Sequence, residues 1–484
     1  MKKSIILLST IAAFTTTSFA EDINKQMYEQ IQLLKKQVAA LEAKMNEQNS
    51  KSDDKRITKI EKKLAKVSKK ANLAKAQSAG DNLKWNVDFR TQVDNIQYKL
   101  GNGKKLRNEA VLSNRLWLGM KYKADENSIF YGTLSYNKLY GDNSSDAPNN
   151  STFDWVTNEA ATNDNEIKLK EAYWLYTNDT FFGTNIPWTV SVGRRPSTDG
   201  LGINLRANQN RKSALSHTVN VEFDGASAKF NLDKVGGLDG SWIKFCVGRG
   251  LTNSRLRFSS DGQPDYTKDS TTQNVDMAGL IAVPYDDGQY SVHMNYAKAW
   301  NLIGMEAGIL NPPFSDFGNM EFFTTMLKVD GIGDGISDWL DNTTVFASYA
   351  QSKTSPDGGK KMIGSSKSET GHSVWIGANA PCPIFPDTAK IGIEWNKGSK
   401  FWRSMTYAED TMVGSKIATR GQAWEVYRTQ KLTKALSFGL SYVYIDYDYT
   451  GSNGFFGDYG EPKNIGATDV QSAQDVSAYL KYKF

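Results

Sequence analysis

Only two cysteines, Cys246 and Cys382, occur in the 484 residues. Two thiols so far apart do not make a disulfide framework. One bridge is open to them in an oxidising compartment, and none is predicted. Histidine is almost as rare. His217, His293 and His372 lie in separate segments, and no pair has metal-ligand spacing. His217 has Ser213 and Ser216 nearby, and His372 has Ser373. Nothing in the sequence fixes the oriented Ser–His pair that a hydrolase needs. The expectation is no enzyme activity, no metal and no cofactor. Long hydrophobic runs are also missing. The apolar stretch Ile5–Phe14 is too short to cross a bilayer comfortably, since a helix needs about 20 apolar residues.

The mean hydropathy of −0.52 would suit a soluble protein. A membrane barrel escapes that inference, because only alternate residues of its strands face lipid. Aromatic residues are plentiful at 12%, as interfacial girdles require.

The N-terminus carries the parts of a secretory signal. Lys2 and Lys3 precede the apolar stretch, and Ser18-Phe19-Ala20 is followed by Glu21-Asp22. Cleavage is expected between Ala20 and Glu21, so residues 1–20 are set aside from the fold.

Residues 21–80 contain no proline, and their first glycine is Gly80. Met27, Ile31, Leu34, Val38, Leu41 and Met45 recur at spacings of four and three, and so do Ile57, Ile60, Leu64, Val67, Ala71 and Ala74. That period predicts a coiled coil with Ile31, Leu34, Val38, Leu41, Ile57, Ile60, Leu64 and Val67 in its core. The polar stretch Asn46–Arg56 breaks the register, leaving a parallel stalk and an antiparallel hairpin both open. The expected role is a periplasmic stalk, with a homotrimer as one assembly. The segment holds 14 Lys+Arg against 8 Asp+Glu, so the chain's net charge of +5 is concentrated here. Contact with acidic cell-wall groups is therefore possible for it. An exported location argues against a nucleic-acid partner.

From Leu83 onward, segments of period-two alternation are separated by Gly, Asn, Asp and Ser. Leu116, Leu118, Met120 and Tyr122 alternate with Arg115, Trp117, Gly119, Lys121 and Lys123. Trp188, Val190 and Val192 share a face, as do Val219, Val221 and Phe223, and Ile243, Phe245 and Val247. Residues 81–484 are expected to form an all-β antiparallel transmembrane barrel of about 18 strands, with 16 as the alternative. A barrel of that size leaves an aqueous channel, whereas about eight strands would be filled by side chains.

Gly141–Asn165, Leu201–Lys212, Ser259–Asn274 and Lys353–Gly371 are expected as outer loops, any one of which could fold inward. Leu310–Asn319, with Pro312 and Pro313, is a second candidate for an inward insertion. Asp330–Gly335 does not match a calcium loop and reads as a tight turn.

Basic residues outnumber acidic ones between Arg194 and Arg257. Arg115, Lys121, Lys123, Arg194, Arg195, Arg206, Arg211 and Lys244 are the candidate pore-lining cations. Fixed charges of one sign select ions of the other. Two other readings remain open: outer loops binding acidic lipopolysaccharide, and pairing with acidic residues elsewhere in the barrel.

Val476, Ala478, Leu480, Tyr482 and Phe484 fall on one face of the last strand. Leu480, Tyr482 and Phe484 resemble the terminal signal read by the outer-membrane barrel-assembly machinery. The stretches Leu169–Tyr176, Thr189–Gly200 and Gly331–Ser348 resemble porin-like outer-membrane proteins of the epsilon-proteobacterial type. Those proteins join a signal peptide, a short coiled coil and a large barrel. The resemblance implies an outer-membrane porin of a Gram-negative bacterium, passing small hydrophilic solutes or ions. It supplies no solute and no catalytic residue. An adhesion platform or a cell-wall tether is the alternative.

Overall fold

The computed structural model describes residues 82–484 except 142–166, 196–199, 208–214, 255–256, 268–272, 307–313, 408, 410 and 453, and also Lys36. The expected signal peptide with its Ala20–Glu21 junction and the expected coiled coil lie outside the described residues. So does Arg211.

The chain from Leu83 alternates apolar and polar residues over stretches long enough to run as strands, punctuated by turn residues. The first seven strands are β1 (Leu83–Leu100), β2 (Lys105–Lys123), β3 (Ser128–Leu139), β4 (Ile167–Asn178), β5 (Trp188–Arg195), β6 (Phe223–Asn231) and β7 (Trp242–Leu251). A small hairpin follows, β8 (Arg257–Phe258) with β9 (Pro264–Asp265). The wall resumes with β10 (Val275–Asp286), β11 (Tyr290–Met305), β12 (Ser315–Asp330), β13 (Thr344–Pro356) and β14 (Thr370–Pro381). It ends with β15 (Ala389–Gly398), β16 (Gly421–Lys431), β17 (Leu436–Tyr447), the two-residue β18 (Phe456–Gly457) and β19 (Val470–Lys483).

Each wall strand pairs antiparallel with the next, and β19 pairs with both β17 and β1, so the sheet closes on itself. The ring holds 16 strands among the described residues, because β8, β9 and β18 lie outside it. The expectation of 18 is corrected to the alternative of 16. Alternation is not confined to the wall strands. Extended chain inside a barrel alternates like a wall strand. Val219 and Val221 belong to such a segment, and β6 begins only at Phe223.

Side-chain polarity is inverted relative to a water-soluble barrel. On β1 the exposed Phe89 and Val93 alternate with the buried Asp88, Arg90, Gln92 and Asp94. On β16 Trp424 and Val426 are exposed, while Glu425 and Thr429 are buried. On β19 Val476, Leu480 and Tyr482 face out, whereas Asp475, Ser477 and Lys481 face in. The apolar face is outside and the polar face is inside, as bilayer immersion requires.

Connections enter the interior from the end opposite the start of β1 and the end of β19. The first insert, described over residues 200–207 and 215–222, carries a helical turn at Ile203–Arg206. The second insert is described over residues 399–407, 409 and 411–420. They are joined by a parallel bridge, Val219 with Met405. In it the Asn220 N–H donates to the Met405 carbonyl at 2.7 Å, and the Met405 N–H to that of Thr218 at 2.8 Å. Leu201, Leu215 and Ile417 pack with the wall residues Met326, Phe346 and Trp375. Met362, Ile363, Met405 and Phe456, from two connections and β18, pack on Leu302, Phe317, Met320 and Phe322.

Three loop expectations change here. Leu201–Ala207, expected to be an outer loop, lies inside, because Leu201 and Leu215 bury apolar side chains on Trp375. Within Lys353–Gly371, Met362 and Ile363 are buried for the same reason. Of Leu310–Asn319, a candidate for insertion, Ser315–Asn319 instead opens wall strand β12, and residues 310–313 are not described.

Buried His217 anchors the first insert. Its ring nitrogens lie 2.8 Å from Ser348 Oγ and 3.0 Å from Ser373 Oγ, between Trp375 and Trp402. Gly202 lets the insert approach Trp375. Its φ is 97°, and a Cβ there would sit 2.2 Å from the indole. Gly202→Ala is therefore expected to cost more than about 1 kcal/mol. The temperature at which the folded barrel converts to the slower-migrating unfolded form on a gel should drop. An unchanged transition would mean the insert is not seated on Trp375.

Candidate functional site

The inserts pack against β10 to β14 through two apolar clusters, and the second insert also packs against β1, β2, β16, β17 and β19 through Met412 and Val413. Beside the latter strands space remains. A cavity of about 80 Å³ lies there, lined by Arg90, Gln92, Arg115, Trp117, Glu425, Ser441, Asp475, Ser477, Tyr479 and Lys481 from the wall. Ile203, Arg206, Ala207 and Asn220 of the first insert and Thr411 of the second face them. Ala207, Thr429, Tyr479 and Lys481 also line a second cavity of about 360 Å³. That one reaches the end of the barrel bearing the C-terminus, where Lys431, Lys434 and Lys483 join its lining. Sharing those four residues, the two adjoin along the inner wall, and together they are the candidate passage.

Alternation places the wall cations. Asp88, Arg90, Gln92 and Asp94 occupy every second position of β1, and Arg115 stands opposite Arg90 across the β1–β2 register. Lys481 stands opposite Arg90 on the other side, in β19. Three like charges side by side repel, and a carboxylate tempers them. Asp88 lies 3.8 Å from Arg115, 3.2 Å from Lys481 and 3.4 Å from Lys483. Arg115 also stacks on Trp117 at 3.7 Å. A guanidinium over an aromatic face keeps its charge while its position is fixed.

Arg206 faces this wall from the insert. It grips Glu394 with two hydrogen bonds of 2.8 Å, Glu409 at 2.9 Å and Glu425 at 3.1 Å. Lys416 adds bonds of 2.5 Å to Glu394 and 2.6 Å to Glu425. The carboxylates raise the Arg206 pKa well above its usual value against the cost of burial. The cluster ties both inserts to β15 and β16. Above it, Lys170 and Arg194 close on Glu222 at 2.6 and 3.3 Å, fixing the exit of the first insert.

The candidate cations therefore separate. Arg115 and Arg206 line the passage. Arg194 is buried in its pair with Glu222 and Asp224. Arg195 and Lys244 line a different cavity. Lys121 lies over the Tyr131 ring at 5.3 Å, and Lys123 is exposed at the end of β2. Among the described residues, sequence reasoning missed Arg90, Lys416, Glu394, Glu409, Glu425, Asp88 and Asp475. The run from Asp88 to Asp94, polar at every second position between apolar ones, was a usable signal for Arg90 and Asp88. Nothing local marks Glu394, Glu409 and Lys416, which meet only in the folded barrel. Cys246 and Cys382 are free thiols. No group of His, Cys, Asp and Glu fit to hold a metal occurs among the described residues.

His217 provides a pH test of the insert. Burial lowers its pKa to about 3 from an ordinary value of 6.5. The folded form thus binds its proton later than the unfolded chain does. Above pH 6.5 this group costs nothing; below it, stability falls by about 1.4 kcal/mol per pH unit until about pH 3. Unfolding of the wild type and of His217→Asn across that range should show this component in the wild type alone. Equal pH profiles would remove His217 from the buried position.

The chain belongs to the family described as "Protein of unknown function (DUF3373)", whose model matches residues 105–484. No curated protein matches. Among solved structures, OprB of Pseudomonas putida is 11% identical with a TM-score of 0.47, over 85% of this chain and 96% of that one. The anion-selective porin from Comamonas acidovorans is 10% identical with a TM-score of 0.45, over 83% and 99%. OmpT, an outer membrane protein of Vibrio cholerae, is 13% identical with a TM-score of 0.43, over 83% and 97%.

Proposed function

We propose that this family member is an outer-membrane diffusion channel for small hydrophilic solutes, with a preference for anions. The observation that carries the reading is the inverted polarity of a closed wall. A belt of exposed Val, Leu, Phe, Trp and Tyr surrounds an interior of buried ionised and hydroxyl groups. Closure satisfies the backbone of every wall strand, the condition for crossing a bilayer with strands. The candidate passage supplies the solute path. Arg90, Arg115, Arg206 and Lys481 face it against Glu425 and Asp475, and Lys431, Lys434 and Lys483 stand at its wide end. Excess fixed positive charge in a confined path concentrates anions. The start of β1, the end of β19 and most of the short turns share one end, which the reading places in the periplasm.

Two measurements test it. In a planar bilayer under a salt gradient, the purified protein should conduct in steps with a reversal potential on the anion side. Arg115→Glu with Lys481→Glu should move that potential toward cations. A folded, inserted barrel that never conducts would overturn the reading. The lipid face is tested separately. Val426→Arg should destabilise the vesicle-folded barrel by about 2–4 kcal/mol, as a cation at mid-bilayer does. Chemical denaturation in vesicles reads this, and no change would take Val426 out of lipid.

A further inference from the structure

A third cavity, about 150 Å³, lies in the inner wall on the side of β6, β7, β10 and β11. It exists because these strands present small residues inward at matching positions. Gly225 pairs with Gly248, and Ser227 with Cys246. Cys246 pairs in turn with Gly279, and Gly279 with Ala297. The end of the first insert, Val219 to Val221, roofs the space. Most of the lining is apolar, yet Arg195 and Lys244 contribute to it. The Arg195 guanidinium lies 4.0 Å over the Tyr173 ring, and its buried Nη1 has no hydrogen-bond partner. Asn220 is buried with an unpartnered Oδ1, and it lines both this cavity and the passage.

We propose that this cavity is a binding site for a small organic anion with an apolar body, of the size of benzoate. A cavity of this volume accommodates one benzene-sized ring. Apolar walls suit the ring. A planar guanidinium already positioned on Tyr173 suits a carboxylate, which it can grip with two parallel hydrogen bonds. The carboxylate takes its hydrogen bonds from Arg195, since the Asn220 side-chain oxygen only accepts, and the place of Asn220 on both linings gives a route from the passage. The site stands on its own geometry and does not rest on the channel reading.

The test is calorimetric titration of benzoate into the full-length mature protein folded in detergent. Saturable binding of one benzoate per chain is expected. Arg195→Gln, which removes the charge, and Gly279→Val, which fills the cavity, should each weaken it at least tenfold. Both variants are first checked for the heat-dependent gel shift of a folded barrel. Benzyl alcohol and acetate, each holding half of the ligand's chemistry, should bind at least tenfold more weakly than benzoate. Absence of saturable benzoate binding to the wild type would overturn the proposal. So would binding that survives in either folded variant, or equal binding of benzyl alcohol. Because the reading is taken in detergent, a barrel that fails to conduct leaves this result untouched.

Discussion

Closure of the sheet is the constraint from which the remaining structure follows. The register of β1 with β19 sets Val93 against Ala478 and Phe89 against Tyr482 and leaves the wall no free edge. An open strand edge exposes unpaired amides and carbonyls, which hydrocarbon cannot satisfy. Once the ring is closed, the outer face is free to be apolar and the alternation of a strand makes the inner face polar. The charges of β1, β2, β16 and β19 are thereby committed to the interior, where they must find partners or water.

The inserts answer part of that need. They bring apolar side chains to the wall at Phe346, Trp375, Phe317 and Phe322, and charges to Glu394 and Glu425. Paired burial makes the cluster a device for position more than a source of stability. Separating ions from water costs about as much as their attraction returns, but removing one partner strands the others. Arg206, shared among three carboxylates, fixes the helical turn of the first insert against β15 and β16. The insert lines the passage at Ile203, Arg206 and Ala207, and its end at Val219 to Val221 roofs the small-residue depression beside β6 and β7.

Much of the barrel was legible in the sequence because its signal is local. Period-two alternation on β2, β7, β17 and β19 assigned faces that the fold keeps, including the inward Arg115. The C-terminal strand was legible to the residue, with Val476, Leu480 and Tyr482 outward and Ser477 and Lys481 inward. The strand count was less legible, since alternation also marks extended chain that stays inside, as at Val219 and Val221. The site was legible in part. Its wall cations sit on alternating strands. Its second half is built from Arg206, Glu409 and Lys416, whose polar loop contexts look like solvent-exposed turns. Only the apolar contacts of Leu201, Leu215 and Ile417 with Trp375 carry those turns inside, and such contacts have no short-range spacing to read.

The central claim is that the wall separates lipid outside from water inside. Val476 and Ser477 are adjacent in β19, and the claim assigns them to opposite phases. With Cys246 and Cys382 replaced by serine, single cysteines at 476 and 477 would be probed in vesicles with a small membrane-impermeant thiol reagent and with a lipid-dissolved maleimide. The account predicts that the cysteine at 477 reacts with the water-soluble reagent and that at 476 only with the lipid-dissolved one. The reverse pattern, or equal reaction of both with the water-soluble reagent, would contradict it.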